Sequence, residues 1–148
     1  MAGITLKKGL QPFTINFEDA NDEVTIYFNP TDSDLPKRLM ECQKLIEAKA
    51  KELKSFETEE DGTPNVDDAI RYFNDVDDIV YDTIDYAFGN KVSTEIFKHC
   101  GAFSVVNGEY FVIQFLEAIA PELEKIIKDN NKKAEAKANK YLAKYKKH

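Results

Sequence analysis

The chain of 148 residues has no tryptophan, only two cysteines and no long run of apolar residues. Cys42 and Cys100 stand far apart, without a Cys-x-x-Cys pair or an adjoining histidine cluster, so their spacing indicates neither a metal site nor a disulfide framework. No stretch reaches the length of a membrane span, and residues 1–12 lack the apolar core of a signal peptide. The sequence therefore predicts a cytoplasmic protein with reduced thiols.

The motifs of catalysis and of cofactor binding are also missing. Gly89, Gly101 and Gly108 form no Gly-rich phosphate-binding loop, and each is expected to be a turn or a helix cap. His99 adjoins Cys100, but neighbouring residues on a helix point about 100° apart, so the two cannot act as a thiol and imidazole pair. We predict no catalytic, cofactor-binding or metal-binding residues, and a protein that is not an enzyme.

The composition is that of a folded domain with a highly charged surface. Apolar residues make up 43% of the chain and charged residues 32%, and ten Phe and seven Tyr supply much of the expected core. A chain of this length can bury a core without disulfides or metals. We expect one globular domain over residues 1–130, followed by a basic, weakly helical tail over 131–148.

Alternating apolar residues predict a β-hairpin near the start of the chain. Phe13, Ile15 and Phe17 alternate with polar residues, as do residues 24–28, and the segment between the two runs forms turns readily. Because an isolated hairpin is only marginally stable, this one must pack on the rest of the domain. The predicted hairpin covers residues 10–28.

After the hairpin, apolar residues recur at spacings of three and four, which predicts helices. A polar loop over 58–65 separates the first two, Gly89 or Asn90 ends the second, and Ser93 and Ser104 are the candidate caps of the third and fourth. The expected helices cover about 33–56, 65–88, 93–100 and 104–130. The fold class is α+β and mainly α, with the hairpin packed on a small helical bundle that has a long C-terminal helix.

Pro121 lies inside the apolar stripe of that last helix. Proline lacks the N–H group of a helix interior, and its ring clashes with the preceding turn. We expect a kink at Pro121, or a helix that restarts there with proline in its first turn.

The net charge of −7 conceals a division along the chain. Residues 57–85 hold eleven acids against one Arg, whereas residues 131–148 hold seven Lys against one Glu. The overall acidity disfavours general binding to nucleic acid and to anionic membranes. The division predicts a molecule whose two regions carry opposite charges.

Four of these acids, Asp75, Asp78, Asp82 and Asp85, recur at spacings of three and four and therefore share one face of the second helix. Helical di-metal enzymes and Mg-nucleotide enzymes display carboxylates in this way, but they need matching carboxylates from a second helix. No Glu-x-x-His motif supplies them here. We interpret the face as a solvated or partner-binding surface, with a metal site as the alternative.

The basic tail has three interpretations. It could be a solvated helical extension, it could bind an acidic protein, or its Lys and Tyr residues could contact nucleic acid. The lack of Arg in the tail and the acidity of the domain argue against nucleic acid. The candidate partner-binding residues are Lys132, Lys133, Lys137, Lys140, Tyr141, Leu142, Lys144 and Tyr145.

Several stretches in the second half of the chain carry a family resemblance. They are 77–90, which opens DDIV and ends YAFGN, STEIF at 93–97, FLEAIAPELE at 115–124 and KYLAKY at 140–145. In this order they resemble the small tail assembly chaperones of siphophages and of prophages of Gram-positive bacteria. The resemblance implies a non-enzymatic protein of the bacterial cytosol that binds the long, helical tape measure protein and releases it as tail tube subunits polymerise.

The opposite charges suggest how such a protein would associate. We expect the region 132–147 to contact the acidic region 57–85 of a neighbouring copy, head to tail, or an acidic stretch of the tape measure protein or another tail protein. Two other functions remain open: a metal-dependent nucleotide hydrolase that uses the Asp75 to Asp85 face, and a small adaptor that docks through its basic tail.

Overall fold

A computed structural model describes residues 1–57 and 66–146 of the chain. These residues form an α+β fold that is mainly helical, as the sequence predicts. The elements in chain order are β1 (Gln11–Phe17), a 3-10 turn (Glu18–Ala20), β2 (Asp22–Phe28), α1 (Leu35–Glu57), α2 (Val66–Phe88), α3 (Ser93–Ile96), β3 (Val105–Val106), β4 (Glu109–Tyr110) and α4 (Phe111–Lys146). The predicted polar loop over 58–65 lies outside the described residues.

The predicted N-terminal hairpin is confirmed. Strands β1 and β2 pair antiparallel, with Phe13 opposite Ile26 and Ile15 opposite Val24, so the apolar residues of both strands share one face. This face packs on the helices: the Phe28 ring meets the Phe88 ring of α2 edge to face, with centroids 4.9 Å apart. The hairpin is therefore part of the domain core.

That core is one continuous cluster to which β2, α1, α2, α3 and α4 all contribute. Helix α1 packs along α2, and α4 contributes Val112, Phe115, Ile119 and Leu123 to the same cluster. The largest side chains that are fully buried belong to Phe28, Ile26, Leu35, Ile46, Ile84, Ile96, Val80, Val92, Val112 and Cys42. Burial raises the pKa of the Cys42 thiol to about 11, which keeps this thiol protonated and unreactive.

The end of α2 follows the prediction closely. Gly89 has a left-handed φ of +67°, its N–H donates to the carbonyl of Tyr86, and the N–H of Asn90 donates to the carbonyl of Asp85. This pair of hydrogen bonds is the Schellman cap, which favours glycine at the left-handed position. Two cationic side chains also stabilise this end of α2: Arg38 Nε donates to the Ala87 carbonyl, and Lys8 Nζ donates to the Gly89 carbonyl.

The predicted third helix over 93–100 is too long. The structure has a single helical turn at Ser93–Ile96, and the backbone leaves helical geometry at Phe97. Ser93 does not cap this turn, because its hydroxyl donates instead to Asp85 of α2. The turn packs against α2 and β2, and Asp85 of α2 accepts the N–H groups at its start.

The prediction that a helix begins at Ser104 is wrong. Residues 105–110 form a second hairpin, in which Asn107 and Gly108 both have positive φ, at 53° and 80°. Asn-Gly is the preferred pair for such a two-residue turn. Helix α4 begins only at Phe111, whose N–H donates to the Ser104 carbonyl over 2.8 Å.

Helix α4 then runs without interruption from Phe111 to Lys146. The predicted restart at Pro121 is not observed. Pro121 is exposed, so water can reach the Glu117 carbonyl that the missing N–H leaves without its usual donor. The region expected to be weakly helical, from residue 131 onward, continues the same helix as far as the structure describes it. Among all the residues that the structure describes, no helix is both long and apolar enough to cross a membrane.

Candidate protein-binding surfaces

The outer side of α2 combines carboxylates with exposed apolar side chains. Asp75, Asp78 and Asp82 are all exposed, as the sequence analysis predicted for a solvated face. Between and beside them lie Ile79, 40% exposed, and Tyr86, 58% exposed. We call these five residues the acidic face. A surface that carries both negative charge and accessible apolar area is suited to binding a basic, amphipathic protein segment.

Asp85, the fourth predicted member of this face, has a different role. Its Oδ1 accepts the backbone N–H groups of Val92 and Ser93, each over 2.8 Å, and its Oδ2 accepts the Ser93 hydroxyl over 2.9 Å. Val92 and Ser93 are both buried. The Asp85 carboxylate thus satisfies the N–H groups at the start of α3, and its hydrogen-bonding capacity is directed into the domain.

Asp77 was not singled out from the sequence, yet it also points inward. Its carboxylate lies against Gly101, where an added Cβ would come within 3.1 Å of Oδ2. Burial raises the pKa of Asp77, which a hydrogen bond from the Ala102 backbone partly offsets and the charge of Asp78 reinforces. Gly101 therefore packs closely against the Asp77 carboxylate, which would have to shift by a few tenths of an ångström to admit a Cβ, and its backbone is not left-handed.

The second candidate surface is the far half of α4. Every described side chain over residues 131–143 is exposed. Lys132, Lys133, Lys137 and Lys140 all lie on this part of the helix, and Leu142 is 55% exposed. The other predicted partner-binding residues, Tyr141, Lys144 and Tyr145, belong to the same helix, but their side chains lie outside what the structure describes.

We call residues 131–146 the basic extension. At about 1.5 Å per residue it adds roughly 24 Å of helix beyond the packed part of the domain. Ion pairs on α4 link Lys125 to Glu122 and Lys128 to Glu124, both before the extension begins. Among the described residues no ion pair joins the extension to the acidic face. Both surfaces are thus available to other molecules.

The metal alternative requires several ligands that converge on one position. Among the side chains that the structure describes, no group of three or more His, Cys, Asp and Glu is arranged to hold a metal ion. The carboxylates of Asp75, Asp78 and Asp82 face outward from one helix. A di-metal site would need further carboxylates facing them.

A groove between β1 and α4 was not predicted. Ile15 and Phe17 of β1 form one wall, Phe111 and Phe115 of α4 form the other, and the cavity has a volume of about 650 Å³. A smaller cavity of about 290 Å³ adjoins it beside His99. The sequence held one signal for this region, the Asn-Gly pair whose hairpin sets the start of α4, but the groove itself depends on contacts between distant segments.

His99 lines the smaller cavity and belongs to a polar cluster. Its Nε2 lies 2.9 Å from Asp22 Oδ2, and the Lys98 ammonium lies 3.0 Å from the same oxygen. Hydrogen bonds from Lys98 and then His99 lower the pKa of Asp22. The Phe17 ring packs edge-on against the His99 imidazole at 4.7 Å. The cluster fastens the tip of the first hairpin to the segment after α3.

Comparisons of the chain with protein-family models, with curated proteins and with solved structures returned no match.

Proposed function

We propose that this protein is a non-enzymatic tail assembly chaperone of a phage or prophage, which binds the tape measure protein in the cytosol of the bacterial host. The proposal combines the resemblance of the stretches 77–90, 93–97, 115–124 and 140–145 with the surfaces of the folded chain. In this role the protein acts by reversible binding to other proteins. It has no nucleic acid or membrane among its partners.

One observation carries the proposal: the domain displays an acidic, partly apolar face on α2 and a basic helical extension on α4. An isolated ion pair at a protein surface contributes only about 0–1 kcal/mol, because water and salt screen it. Ile79 and Tyr86 on one surface, and Leu142 on the other, provide the apolar area that lasting contact requires. Each surface can therefore hold a protein segment of opposite charge.

The two surfaces also suit each other in separate copies. A contact between the extension of one copy and the acidic face of the next is heterologous, so it can repeat along a line of copies. A row of copies would present many equivalent sites to one long helical client. This is the head-to-tail association expected from the charge division of the sequence.

The proposal is tested by expressing a tape measure protein, encoded beside a chaperone of this kind, alone and together with this chain. We expect the soluble fraction of the tape measure protein to rise severalfold on co-expression, and the two proteins to elute together. The triple variant Asp75→Asn, Asp78→Asn and Asp82→Asn should abolish most of that gain. Its matched control changes three exposed acids elsewhere, Glu41, Glu109 and Glu117, to Gln.

Equal solubility with and without this chain would contradict the proposal. If the triple variant and its control lowered the soluble fraction of the tape measure protein equally, the acidic face would not be part of the binding surface. The metal-dependent hydrolase is checked by calorimetry with Mg²⁺ or Mn²⁺, in which tight binding lost on Asp78→Asn and Asp82→Asn would favour that alternative.

A further inference from the structure

The outer edge of β1 is not paired with any strand that the structure describes. The two strands of the first hairpin form a sheet of their own. Pro12 has no N–H and lies opposite Tyr27, whose carbonyl accepts the Asn90 side chain from outside the hairpin. This pair is therefore a non-hydrogen-bonded pair, and the alternation of an antiparallel ladder places Thr14 and Asn16 in the same class. Their backbone N–H and C=O groups point away from β2, along the open edge.

The groove described above runs beside this edge. It is lined by the apolar side chains of Ile15, Phe17, Phe111 and Phe115, and Asn16 lies at its margin. An open strand edge next to an apolar groove can accept an extended segment, in which main-chain hydrogen bonds form along the edge and alternate side chains enter the groove.

The first ten residues of the chain have the character of such a segment. All of them are exposed, and the apolar residues Ile4 and Leu6, at 87% and 84% exposure, alternate with polar ones. This period of two is that of a strand with one apolar face. Within the described part of the chain, no strand or helix covers either side chain.

We propose that residues 3–7 of one copy add to the outer edge of β1 in a second copy, with Ile4 and Leu6 in the groove between β1 and α4. Charge favours this arrangement, because Lys7 is the last residue of the added segment while Glu18 and Asp19 line the groove. Neither acid forms an ion pair within the described residues. This association does not depend on the proposed function, since it uses neither the acidic face nor the basic extension.

The path of the segment explains why it enters a second copy rather than its own groove. Lys8 donates to the Gly89 carbonyl at the end of α2, and the Asn29 side chain, just after β2, donates to the Lys8 carbonyl. Gly9 turns with a φ of +87° directly against Asn29. These contacts hold the segment on the β2 side of the hairpin, whereas the groove lies along β1 near the hairpin tip.

The experiment compares the full-length chain with two double variants by sedimentation velocity over a range of concentrations. The variant Ile4→Asn with Leu6→Asn removes the inserting side chains. The control Gly3→Asn with Thr5→Asn introduces the same two asparagine side chains at the alternate positions. We expect at least a tenfold weaker self-association in the first variant and less than a threefold change in the control. All four positions are exposed, so thermal unfolding should be the same in both variants.

Hydrogen exchange of the full chain identifies the edge that is used. The amides of Thr14 and Asn16 should gain protection as the concentration rises, whereas the amide of Ile15, which faces β2, should be protected throughout. Charge reversal of Lys133, Lys137 and Lys140 should leave this protection intact, which separates it from association through the extension. Three outcomes would overturn the inference: a wild type that stays monomeric, equal effects of the two double variants, or protection of Thr14 and Asn16 that does not depend on concentration.

Discussion

The two halves of α4 have the same backbone but different surroundings. Residues 111–130 pack against the domain through Val112, Phe115, Ile119 and Leu123, whereas every described side chain from 131 to 143 is exposed. The spacing of apolar residues continues past the boundary, where Ala134 and Ala138 replace large side chains. Alanine preserves the helix but offers little area to bury. A repeat at spacings of three and four therefore predicts helix in both halves, while the volume of the repeated side chains separates packed helix from free helix.

The same contrast holds between neighbouring acids of α2. Asp82 faces solvent, whereas Asp85, three residues later, accepts three hydrogen bonds from the start of α3. Their common spacing on the helix suggests a common role, but they differ in the elements that lie within reach. Exposure and partners, rather than spacing, decide which residues are available for binding.

The strongest test of the contrast within α4 removes one leucine from each half. Leu123→Ala leaves a cavity in the core and should lower the free energy of unfolding by about 2–5 kcal/mol. Leu142→Ala should change it by no more than about 0.5 kcal/mol. Urea denaturation of the two variants measures both values. Comparable losses would mean that the extension packs on the domain.

The contrast within α2 is tested by Asp85→Ala against Asp82→Ala. The first variant leaves buried N–H groups of Val92 and Ser93 without an acceptor, so we expect a loss of about 1–3 kcal/mol. The second should be nearly neutral, because Asp82 is exposed. Both are measured by urea denaturation at neutral pH. If Asp82→Ala lowered the free energy of unfolding more than Asp85→Ala, the structural role given to Asp85 and the solvated position given to Asp82 would both be wrong.

The position at which α4 begins is tested at the turn that precedes it. Gly108 has a φ of +80° and open space around its Cα, so Gly108→Ala meets only backbone strain and should cost about 1–2 kcal/mol. Gly3→Ala is the matched control, since it has neither a positive φ nor a close neighbour. Thermal unfolding compares the two. A neutral Gly108→Ala would show that the turn does not constrain the start of the helix.

The smallest expected effect concerns Asp77 and depends on pH. Because burial raises its pKa in the folded chain, its contribution to stability is present below the unfolded value near 3.8 and is lost as pH rises through the folded pKa. Asp77→Asn removes this loss and can still accept the Ala102 N–H. The variant should therefore gain stability relative to the wild type between pH 3 and pH 7, by less than about 1 kcal/mol because solvent screens the site.

The measurement is the difference in free energy of unfolding between Asp77→Asn and the wild type across that pH range. Asp22 and Asp32 work in the opposite direction, since hydrogen bonds from Lys98 and from Arg38 lower their pKa values. Their stabilisation is present above the unfolded pKa and is lost on acidification. The contribution of Asp22 and Asp32 is the same in both proteins, so it cancels when they are compared at each pH. A difference in free energy of unfolding that stayed constant with pH would contradict the raised pKa of Asp77.

Much of the fold followed from local pattern. Alternation predicted the first hairpin, spacings of three and four predicted α1, α2 and the body of α4, and Gly89 predicted the end of α2. The errors lay where short elements depend on distant contacts. The start of α3 is held by Asp85 from another helix, and the turn at Asn107-Gly108 forms a hairpin where apolar spacing alone predicts helix.

The surfaces divide in the same way. The charge division, the acidic repeat on α2 and the lysines after residue 131 are properties of the sequence alone, because charge and helical period require no knowledge of neighbouring elements. Only the tertiary structure decided that Asp77 and Asp85 face inward, that Ile79 and Tyr86 remain exposed, and that β1 keeps an open edge beside a groove. The physical reason is that burial and hydrogen-bond partners depend on which distant segments are in contact. The periodicity of residues along the sequence does not specify those contacts.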